Sequence, residues 1–300
     1  MKNYSSRKTF QADFLGENCR TEKIMTEEQI QEYLQELHIR EKSQNTILSY
    51  GHALRHLKEF AGGQVLSKNL LLDWKEALKK SYASSSINGM IAAVNGFLRF
   101  RGEQEMIIKP LKLQKVIFLM PEKVLTKNEY KKLVDAAEKK GNERLAMILQ
   151  TICSTGIRIS ELKYITIESL KQKRAEIDCK GKQRIIFLPG KLVNLLRKYA
   201  EKKEILSGPI FITRNGKAMD RSNIWREMKK LCASTEVEKK KVFPHNLRSL
   251  FARTYYSIKH DITKLADILG HSNIDTTRIY VRESGRAHER LLEQLGLVFV

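Results

Sequence analysis

The sequence predicts a mainly α-helical protein with one small antiparallel sheet, an α+β fold built as two domains. Apolar residues recur at steps of three and four along much of the chain, which is the period of an amphipathic helix. Two runs rich in β-branched residues flank a Gly-containing turn at residues 180–183, which is the pattern of a hairpin. With 300 residues, of which 42% are hydrophobic, the chain is long enough to form two hydrophobic cores.

The first domain is predicted as four short amphipathic helices over residues 23–105. Thr26 and Gln29 have the spacing of a capping box ahead of the first helix, and the second helix runs roughly over residues 43–60. The third and fourth helices carry the apolar residues Leu70, Leu71, Trp74 and Leu78, then Ile87, Met90, Ile91, Val94, Phe97 and Leu98. Residues 1–22 are polar and without a clear period, and we interpret them as an N-terminal extension.

Residues 106–122 contain two prolines and several lysines, and they are predicted to link the domains. The second domain, residues 123–283, opens with a capping box of Thr126 and Glu129 and continues as a strongly apolar helix. The hairpin follows. A further short strand with an Asn–Gly turn is predicted over residues 209–219, and the chain is then predicted to be helical to its end.

The charge balance points to a polyanionic partner. The chain has 55 Lys and Arg against 34 Asp and Glu, a net charge of +21. Nucleic acid is the first candidate partner and an acidic membrane surface the second, while a generally basic protein without such a partner is the alternative. The N-terminus has no apolar stretch of the signal-peptide type, and no run is long and apolar enough to span a bilayer, which weighs against a membrane partner.

The cysteines point to a reducing compartment. Cys19, Cys153, Cys179 and Cys232 are scattered, and no two of them form a CxxC pair. This spacing argues against a zinc site and against a disulfide scaffold. Free thiols fit a cytosolic protein.

Three segments of the second domain carry residues suited to phosphate chemistry. Arg158 follows a small-residue turn and has Glu161 three residues on, although such a pair is often only a surface salt bridge. Pro244 starts a helix that places His245 and Arg248 on one face near its N-terminus, where an anion is favoured. In the third segment, the candidates are His271, just after the helix-ending Gly270, and Tyr280 on a short helix predicted over residues 275–281.

Each of these residues also has an ordinary structural interpretation when it is taken alone. His271 would be a capping or packing residue, and Tyr280 a core aromatic. Lys180 at the hairpin tip would be a solubility residue, or a flexible cation that reaches into a DNA groove. Cleaving a phosphodiester without a metal, however, needs cations for the non-bridging oxygens, a base for the nucleophile and an acid for the leaving oxygen. Arginine suits the phosphate because its planar fork makes paired hydrogen bonds.

Taken together, these residues resemble the tyrosine recombinase (phage integrase) family. The segments TGIRISEL, HNLRSLFA and LGHSNIDTTRIYV stand very close to signature segments of that family, in the family's order and spacing. Tyr280 follows His271 by nine residues, as the resemblance requires. The likeness covers roughly residues 23–283, and the chain is similar to Xer-type recombinases and mobile-element integrases.

The resemblance implies a role for each residue. Tyr280 would attack the scissile phosphate and give a 3′-phosphotyrosyl enzyme, with Arg158 and Arg248 clamping that phosphate. His245 would be a general acid or base near the tyrosine, His271 would hydrogen-bond the phosphate, and Glu161 would support its neighbours. Lys180 would protonate the leaving 5′ oxygen, with Lys182 as the local competitor. No cofactor and no metal are implied.

The resemblance also implies an architecture and partners. The helical domain would bind the core DNA site and the second domain would be catalytic, the two forming a C-shaped clamp on duplex DNA. Strand exchange through a Holliday junction would need a homotetramer, a dimer of dimers, and residues 284–300 would form a tail that docks on a neighbouring protomer. The short N-terminal extension predicts the compact form of the family, without an arm-site-binding domain. We expect a bacterial protein of the cytoplasm, associated with the nucleoid. Whether accessory proteins take part in the reaction is left open by the resemblance.

Two other functions remain as alternatives. A type IB topoisomerase shares the chemistry but nicks and reseals without exchanging strands. A catalytically silent DNA-binding protein could share the fold, although it would be free to lose one of the catalytic residue types. The target site, the direction of the reaction and the host element are not predicted by the sequence.

Overall fold

The computed structural model describes residues 24–113, 120–179, 182–213, 215–281 and 292–295. It divides the chain into two units, residues 1–115 and 116–300. Helices dominate both units and the sheet has two antiparallel strands, so the predicted fold class is confirmed. The predicted N-terminal extension, residues 1–22, lies outside the described residues. Among the described residues, no helix has the length and apolar character needed to cross a membrane.

The described part of the first unit contains four α-helices: α1 Glu27–Ile39, α2 Gln44–Ala61, α3 Lys68–Lys79 and α4 Ser84–Phe100. The capping box of Thr26 and Gln29 is present, and serine hydroxyls cap the next two helices. Gly62, with a φ of 55°, ends α2 in the left-handed conformation. The core is filled by large side chains from all four helices, among them Ile30, Leu54, Leu57, Leu71, Trp74 and Phe97.

Two asparagines of α4 hold residues 107–111 against the first unit through hydrogen bonds to the backbone. The side chain of Asn95 accepts from the backbone N–H of Ile108 and donates to its carbonyl, at 3.0 and 2.8 Å. Asn88 makes the same pair of bonds with Leu111, at 2.7 and 2.9 Å. Ile108 is buried in the core of this unit. The chain therefore leaves the helical unit only after Leu111.

We expect Asn95→Ala to destabilise the first unit more than Asn88→Ala does. Asn95 is buried, so its loss leaves the Ile108 backbone groups without partners and away from water, at a cost of about 2–4 kcal/mol. Asn88 is only partly buried, and water can replace it. Denaturant unfolding of the full chain measures both free energies of unfolding. Equal losses in the two variants would contradict the importance of the buried pair.

The second unit contains the remaining helices and the hairpin. The helices are α5 Lys127–Lys139, α6 Glu143–Thr155, α7 Ile167–Gln172, α8 Gly190–Lys202, α9 Arg221–Leu231, α10 Pro244–Lys259, α11 Ile262–Leu269 and α12 Ile274–Arg278. Five short 3₁₀ segments also occur among the described residues, at Gln104–Met106, Pro121–Lys123, Ile159–Tyr164, Cys232–Ser234 and Lys239–Lys241. The predicted capping box of Thr126 and Glu129 is present. The apolar helix α6 is buried along most of its length, and α10 packs against it.

The predicted hairpin is confirmed as β1 Arg174–Cys179 and β2 Lys182–Phe187. Ile177 pairs with Arg184 and Ala175 with Ile186. Alternate residues of β2 face the core, so Ile186 is buried while its neighbour Phe187 is exposed. Residues 180 and 181, in the turn, lie outside the described residues.

Two predictions of local structure were wrong. The strand predicted over residues 209–219 is replaced, in the described part of this segment, by isolated bridges of Thr166 with Pro209 and Ile212 with Ala218, because the chain folds back too soon for a longer ladder. The turn predicted within it is present, with the Gly216 N–H donating to the carbonyl of Thr213. The last helix, predicted over residues 275–281, covers only Ile274–Arg278. Tyr280 therefore lies in the turn after the helix, where its N–H donates to the carbonyl of Thr277. Of the predicted tail, residues 292–295 are described.

Candidate active site

The Arg158 segment is held by the end of helix α6. Gly156 ends the helix with a φ of 66°, and a Cβ at this position would lie 2.5 Å from the ring of Phe251. Glycine is therefore required here both by the backbone conformation and by space. Arg158 follows and caps the short 3₁₀ helix, with its backbone N–H donating to the Glu161 carboxylate at 2.9 Å.

Helix α11 ends in a tight turn at Gly270, which the sequence predicted. Gly270 has a φ of 63°, and the backbone N–H groups of Gly270 and His271 bond back into the helix. A Cβ on Gly270 would lie 2.7 Å from the Arg184 side chain. The turn leaves the carbonyls of the last residues available to side-chain donors.

Three consecutive carbonyls of this turn each accept a hydrogen bond from a different arginine. Arg184 Nη1 donates to the Ile268 carbonyl at 3.2 Å, Arg248 Nη2 to that of Leu269 at 2.6 Å and Arg158 Nη2 to that of Gly270 at 3.0 Å. The carbonyl end of a helix carries partial negative charge, so it favours cations. The turn thus gathers three guanidiniums that would otherwise repel one another. We call these three side chains the arginine cluster.

Arg248 is the buried centre of the cluster. Its side chain is 3% exposed and also donates to the carbonyl of Gly156, so it joins the end of α6 to the end of α11. Burial, together with the charges of Arg158 and Arg184, lowers its pKa to about 10. Arg158, by contrast, keeps 39% of its side chain exposed. An anion can therefore reach the cluster through Arg158.

Glu161 is the carboxylate that balances part of this charge. It is 4% exposed and accepts from Arg158 Nη1 at 3.0 Å and from Arg184. Burial alone would raise its pKa, but the Arg158 backbone N–H and the Arg184 guanidinium outweigh burial and hold the pKa below its usual value. Glu161 is therefore ionised at neutral pH.

His271 is neutral in this structure, and its tautomer follows from its partners. Its Nε2 lies 3.1 Å from Arg248 Nη2, and its Nδ1 lies 2.9 Å from the Thr277 hydroxyl. Because a guanidinium can only donate, Nε2 accepts and Nδ1–H donates to Thr277. Burial and the charge of Arg248 lower the pKa of His271 to about 4. Burial is the larger cause, and the charges of Arg248, Arg158 and Arg184 add to it, so these three arginines make the site electropositive before any phosphate binds.

Tyr280 is packed between two imidazoles. Its ring centroid lies 5.8 Å from that of His271, nearly parallel at 16°, and 5.3 Å from that of His245. The side chain is 4% exposed and belongs to a small apolar cluster with Ala252, Leu265 and Leu269. His271, on which the Tyr280 ring stacks, itself lies 3.1 Å from Arg248 Nη2. The phenol is thus held beside the arginine cluster.

His245 lies at the exposed rim of the same site. It is the second residue of α10, which Pro244 begins as predicted, and its ring stacks on Phe243 at 6.5 Å. Partial burial and the nearby Arg248 lower its pKa. A neutral imidazole at this position can take up a proton.

The structure brings six of the seven predicted residues together: Arg158, Glu161, His245, Arg248, His271 and Tyr280. Lys180 lies outside the described residues, as does the side chain of its competitor Lys182. The choice between the two lysines therefore stays a prediction.

Sequence reasoning missed Arg184 and Thr277. Arg184 lies on the same face of β2 as the buried Ile186, and a charged residue at such a position signals a buried ion pair. Thr277 is fully buried and binds His271, which only the folded structure shows.

A basic, aromatic cleft adjoins the site at His245. It has a volume of about 780 Å³ and is lined by Ile159, Arg221, Ser222, Trp225, Arg226, Lys229, Phe243, Pro244 and His245. Lys229 Nζ lies 5.5 Å from the centre of the Trp225 ring, which is itself largely exposed. The cleft combines positive charge with a flat apolar face next to the predicted catalytic residues.

Comparison with known proteins places the chain in a family. Residues 123–286 match the phage integrase family, and residues 30–105 match the N-terminal SAM-like domain of phage integrases. The chain belongs to the phage integrase family. The tyrosine recombinase XerA of Pyrococcus furiosus is 28% identical over 285 residues, which cover 92% of this chain and 97% of that protein.

Solved structures share the fold. A lambda integrase dimer bound to a COC′ core site aligns with a TM-score of 0.72 and 17% identity, over 94% of this chain and 83% of that one. XerH bound to its palindromic difH substrate, in a post-cleavage complex, aligns with a TM-score of 0.68 and 18% identity, over 90% and 89% of the two chains.

The predicted class, a tyrosine recombinase similar to the Xer-type enzymes, is confirmed by this membership. So is the predicted activity of the class, site-specific recombination of DNA. Neither the topoisomerase nor the silent DNA-binding protein is favoured by the matches.

Proposed function

We propose that this phage integrase family member cuts and rejoins duplex DNA with Tyr280 as nucleophile, through a 3′-phosphotyrosyl intermediate. The observation that carries the proposal is the Tyr280 ring packed between His271 and His245, beside the arginine cluster. A phenol has a pKa near 10 in solution and is a poor nucleophile at neutral pH. Adjacent imidazoles and guanidiniums supply the base and the positive field that activate it.

The phosphate enters the cluster through its exposed member. The Arg158 side chain is partly exposed to solvent, whereas Arg248 is buried beneath the site, where it donates to two backbone carbonyls. The non-bridging oxygens gather charge as Tyr280 attacks, and preorganised donors stabilise that charge. A bound phosphate also raises the pKa of His271, and a proton on Nε2 would let this imidazole donate to the phosphate in place of accepting from Arg248. His245 at the rim accepts the phenolic proton.

Departure of the 5′ oxygen needs a proton donor. Lys180 at the hairpin turn is proposed for this role, with Lys182 as the alternative. The hairpin supports the proposal because β2 reaches the cluster through Arg184, only four residues beyond Lys180. Rejoining reverses the attack and needs no external energy, because the phosphotyrosyl bond conserves that of the phosphodiester.

Double-stranded DNA is the partner of this chain, and the basic cleft is proposed as part of the surface that follows its backbone. Arg221, Arg226 and Lys229 offer phosphate contacts, which supply affinity more than sequence discrimination. The first unit is proposed to bind the core site. We further propose that the protein acts on DNA as a homotetramer whose protomers exchange tails. Its place of action is proposed to be the bacterial cytoplasm.

A nicked duplex tests the function. The probe is a duplex selected from a randomised pool for binding to this protein, with nicks placed at staggered positions so that a cleaved strand loses its 5′-hydroxyl fragment. We expect a protein–DNA adduct that survives denaturation. Intact pairs of the same sites should give Holliday junctions and exchanged products. An adduct without exchange would favour the topoisomerase, and binding without an adduct would favour the silent protein.

A further inference from the structure

Arg184 is a buried arginine of β2 to which the proposed catalytic steps assign no role. Its side chain is 14% exposed. It donates to the Glu161 carboxylate and to the carbonyl of Ile268, and a Cβ on Gly270 would lie 2.7 Å from its Cδ, too close for a side chain at that position. One residue thus connects the hairpin, the short helix after Arg158 and the turn before His271.

Glu161 would compete for Arg158 if Arg184 were missing. The two carboxylate oxygens are at present shared between the guanidiniums: Oε1 accepts from Arg158, and Oε2 accepts from Arg184 and the Arg158 backbone N–H. A carboxylate that is 5% exposed cannot turn to water for compensation. Without Arg184 it would draw the Arg158 guanidinium into a paired, two-pronged contact.

We propose that Arg184 is a positioning residue of the recombination reaction. By occupying Oε2 of Glu161 it keeps that carboxylate from drawing Arg158 into a second contact, so Arg158 can hold the scissile phosphate, and by bracing the Gly270 turn it fixes the position from which His271 meets the phosphate. The inference rests on the proposed function. The hydrogen bonds that the structure describes for Arg184 Nη1 and Nη2 go to Ile268 and Glu161, so the role proposed here is exerted through those partners.

Charge compensation and general structural support predict different outcomes for a double substitution. If Arg184 acts through Glu161, removing the carboxylate as well should relieve the defect of losing the arginine. If Arg184 only stabilises the fold, Arg184→Gln should lower the free energy of unfolding but leave the adduct rate of the folded protein unchanged. A double-mutant cycle between positions 184 and 161 distinguishes the two.

The test compares Arg184→Gln, Glu161→Gln and the double variant with the unaltered chain, using the same selected, nicked duplex at saturating concentration. The readouts are the rate of adduct formation and, separately, the Kd for the intact duplex. We expect Arg184→Gln to slow adduct formation ~10²-fold, as displacement of one phosphate-binding group by about 1 Å does, with a Kd nearly unchanged. The double variant should react ~10-fold faster than Arg184→Gln alone.

Arg174→Gln is the matched control. Arg174 lies on the other strand of the same hairpin and pairs with Glu176 at 3.2 Å, but both side chains are exposed. We expect it to leave the adduct rate unchanged. If Arg184→Gln does not fold, the double variant, which lacks the uncompensated carboxylate, is compared with Glu161→Gln, and equal rates support the proposal.

An unchanged rate in Arg184→Gln, or a double variant slower than either single variant, would overturn the inference while leaving the proposed function intact. Failure of the unaltered chain to form any adduct would instead overturn the proposed function, on which the inference rests.

Discussion

Tyr280→Phe is expected to abolish the protein–DNA adduct while leaving DNA binding intact. The substitution removes only the hydroxyl, and the ring can keep its packing between His271 and His245. No bond to phosphorus can then form. The loss of cleavage should be complete within detection, a larger effect than that of any substitution in the arginine cluster, and denaturing electrophoresis of the nicked-duplex reaction measures it.

Tyr255→Phe is the control for this result. Tyr255 is partly buried and packs against the same small apolar cluster as Tyr280, so its loss tests whether removing any hydroxyl from this region has the same effect. We expect the Tyr255→Phe variant to form the adduct at the normal rate. If Tyr280→Phe still formed the adduct, another side chain would be the nucleophile.

Arg248→Gln is expected to reduce the rate of adduct formation by ~10²–10³-fold, the usual cost of losing one preorganised donor to a developing negative charge. Glutamine keeps some hydrogen-bonding capacity but neither the charge nor the fork that joins Gly156 to Leu269. Arg248→Lys keeps a charge without the fork, and we expect an intermediate rate. Single-turnover kinetics on the nicked duplex give all the rates.

Arg253→Gln controls for position on the same helix. Arg253 is partly buried and, like the fully buried Arg248, donates to a backbone carbonyl, that of Leu125 at 2.7 Å, but it is not a member of the arginine cluster. We expect it to affect the free energy of unfolding more than the adduct rate. Equal losses of rate in the Arg248 and Arg253 variants would show that Arg248 acts through stability alone.

The sequence predicted much of this site because its residues occur in short segments with strong local signals. Gly270 ends α11 and Pro244 begins α10, and both effects depend on the backbone preferences of one residue. Once the end of α11 and the start of α10 are fixed, the positions of His271 and Arg248 are largely determined. The residue types then carried the resemblance to the family.

What the sequence could not predict depends on tertiary contacts. Arg184 acquires its partners from positions 23 and 84 residues away, and no local pattern connects them. The last helix is shorter than predicted because the turn after it buries Tyr280 against α10 and α11, a preference set by packing. The sharing of three carbonyls by three arginines likewise exists only after the turns meet.

The most direct test of the central claim is to identify the residue that carries the DNA. The adduct formed on the nicked duplex is digested with nuclease and protease, and the remaining nucleotide-bearing peptide is sequenced by mass spectrometry. The packing of Tyr280 beside the arginine cluster predicts a single modified peptide, with the 3′-phosphate on the Tyr280 oxygen. A nucleotide on any other residue, or attachment through a 5′-phosphate, would contradict that claim.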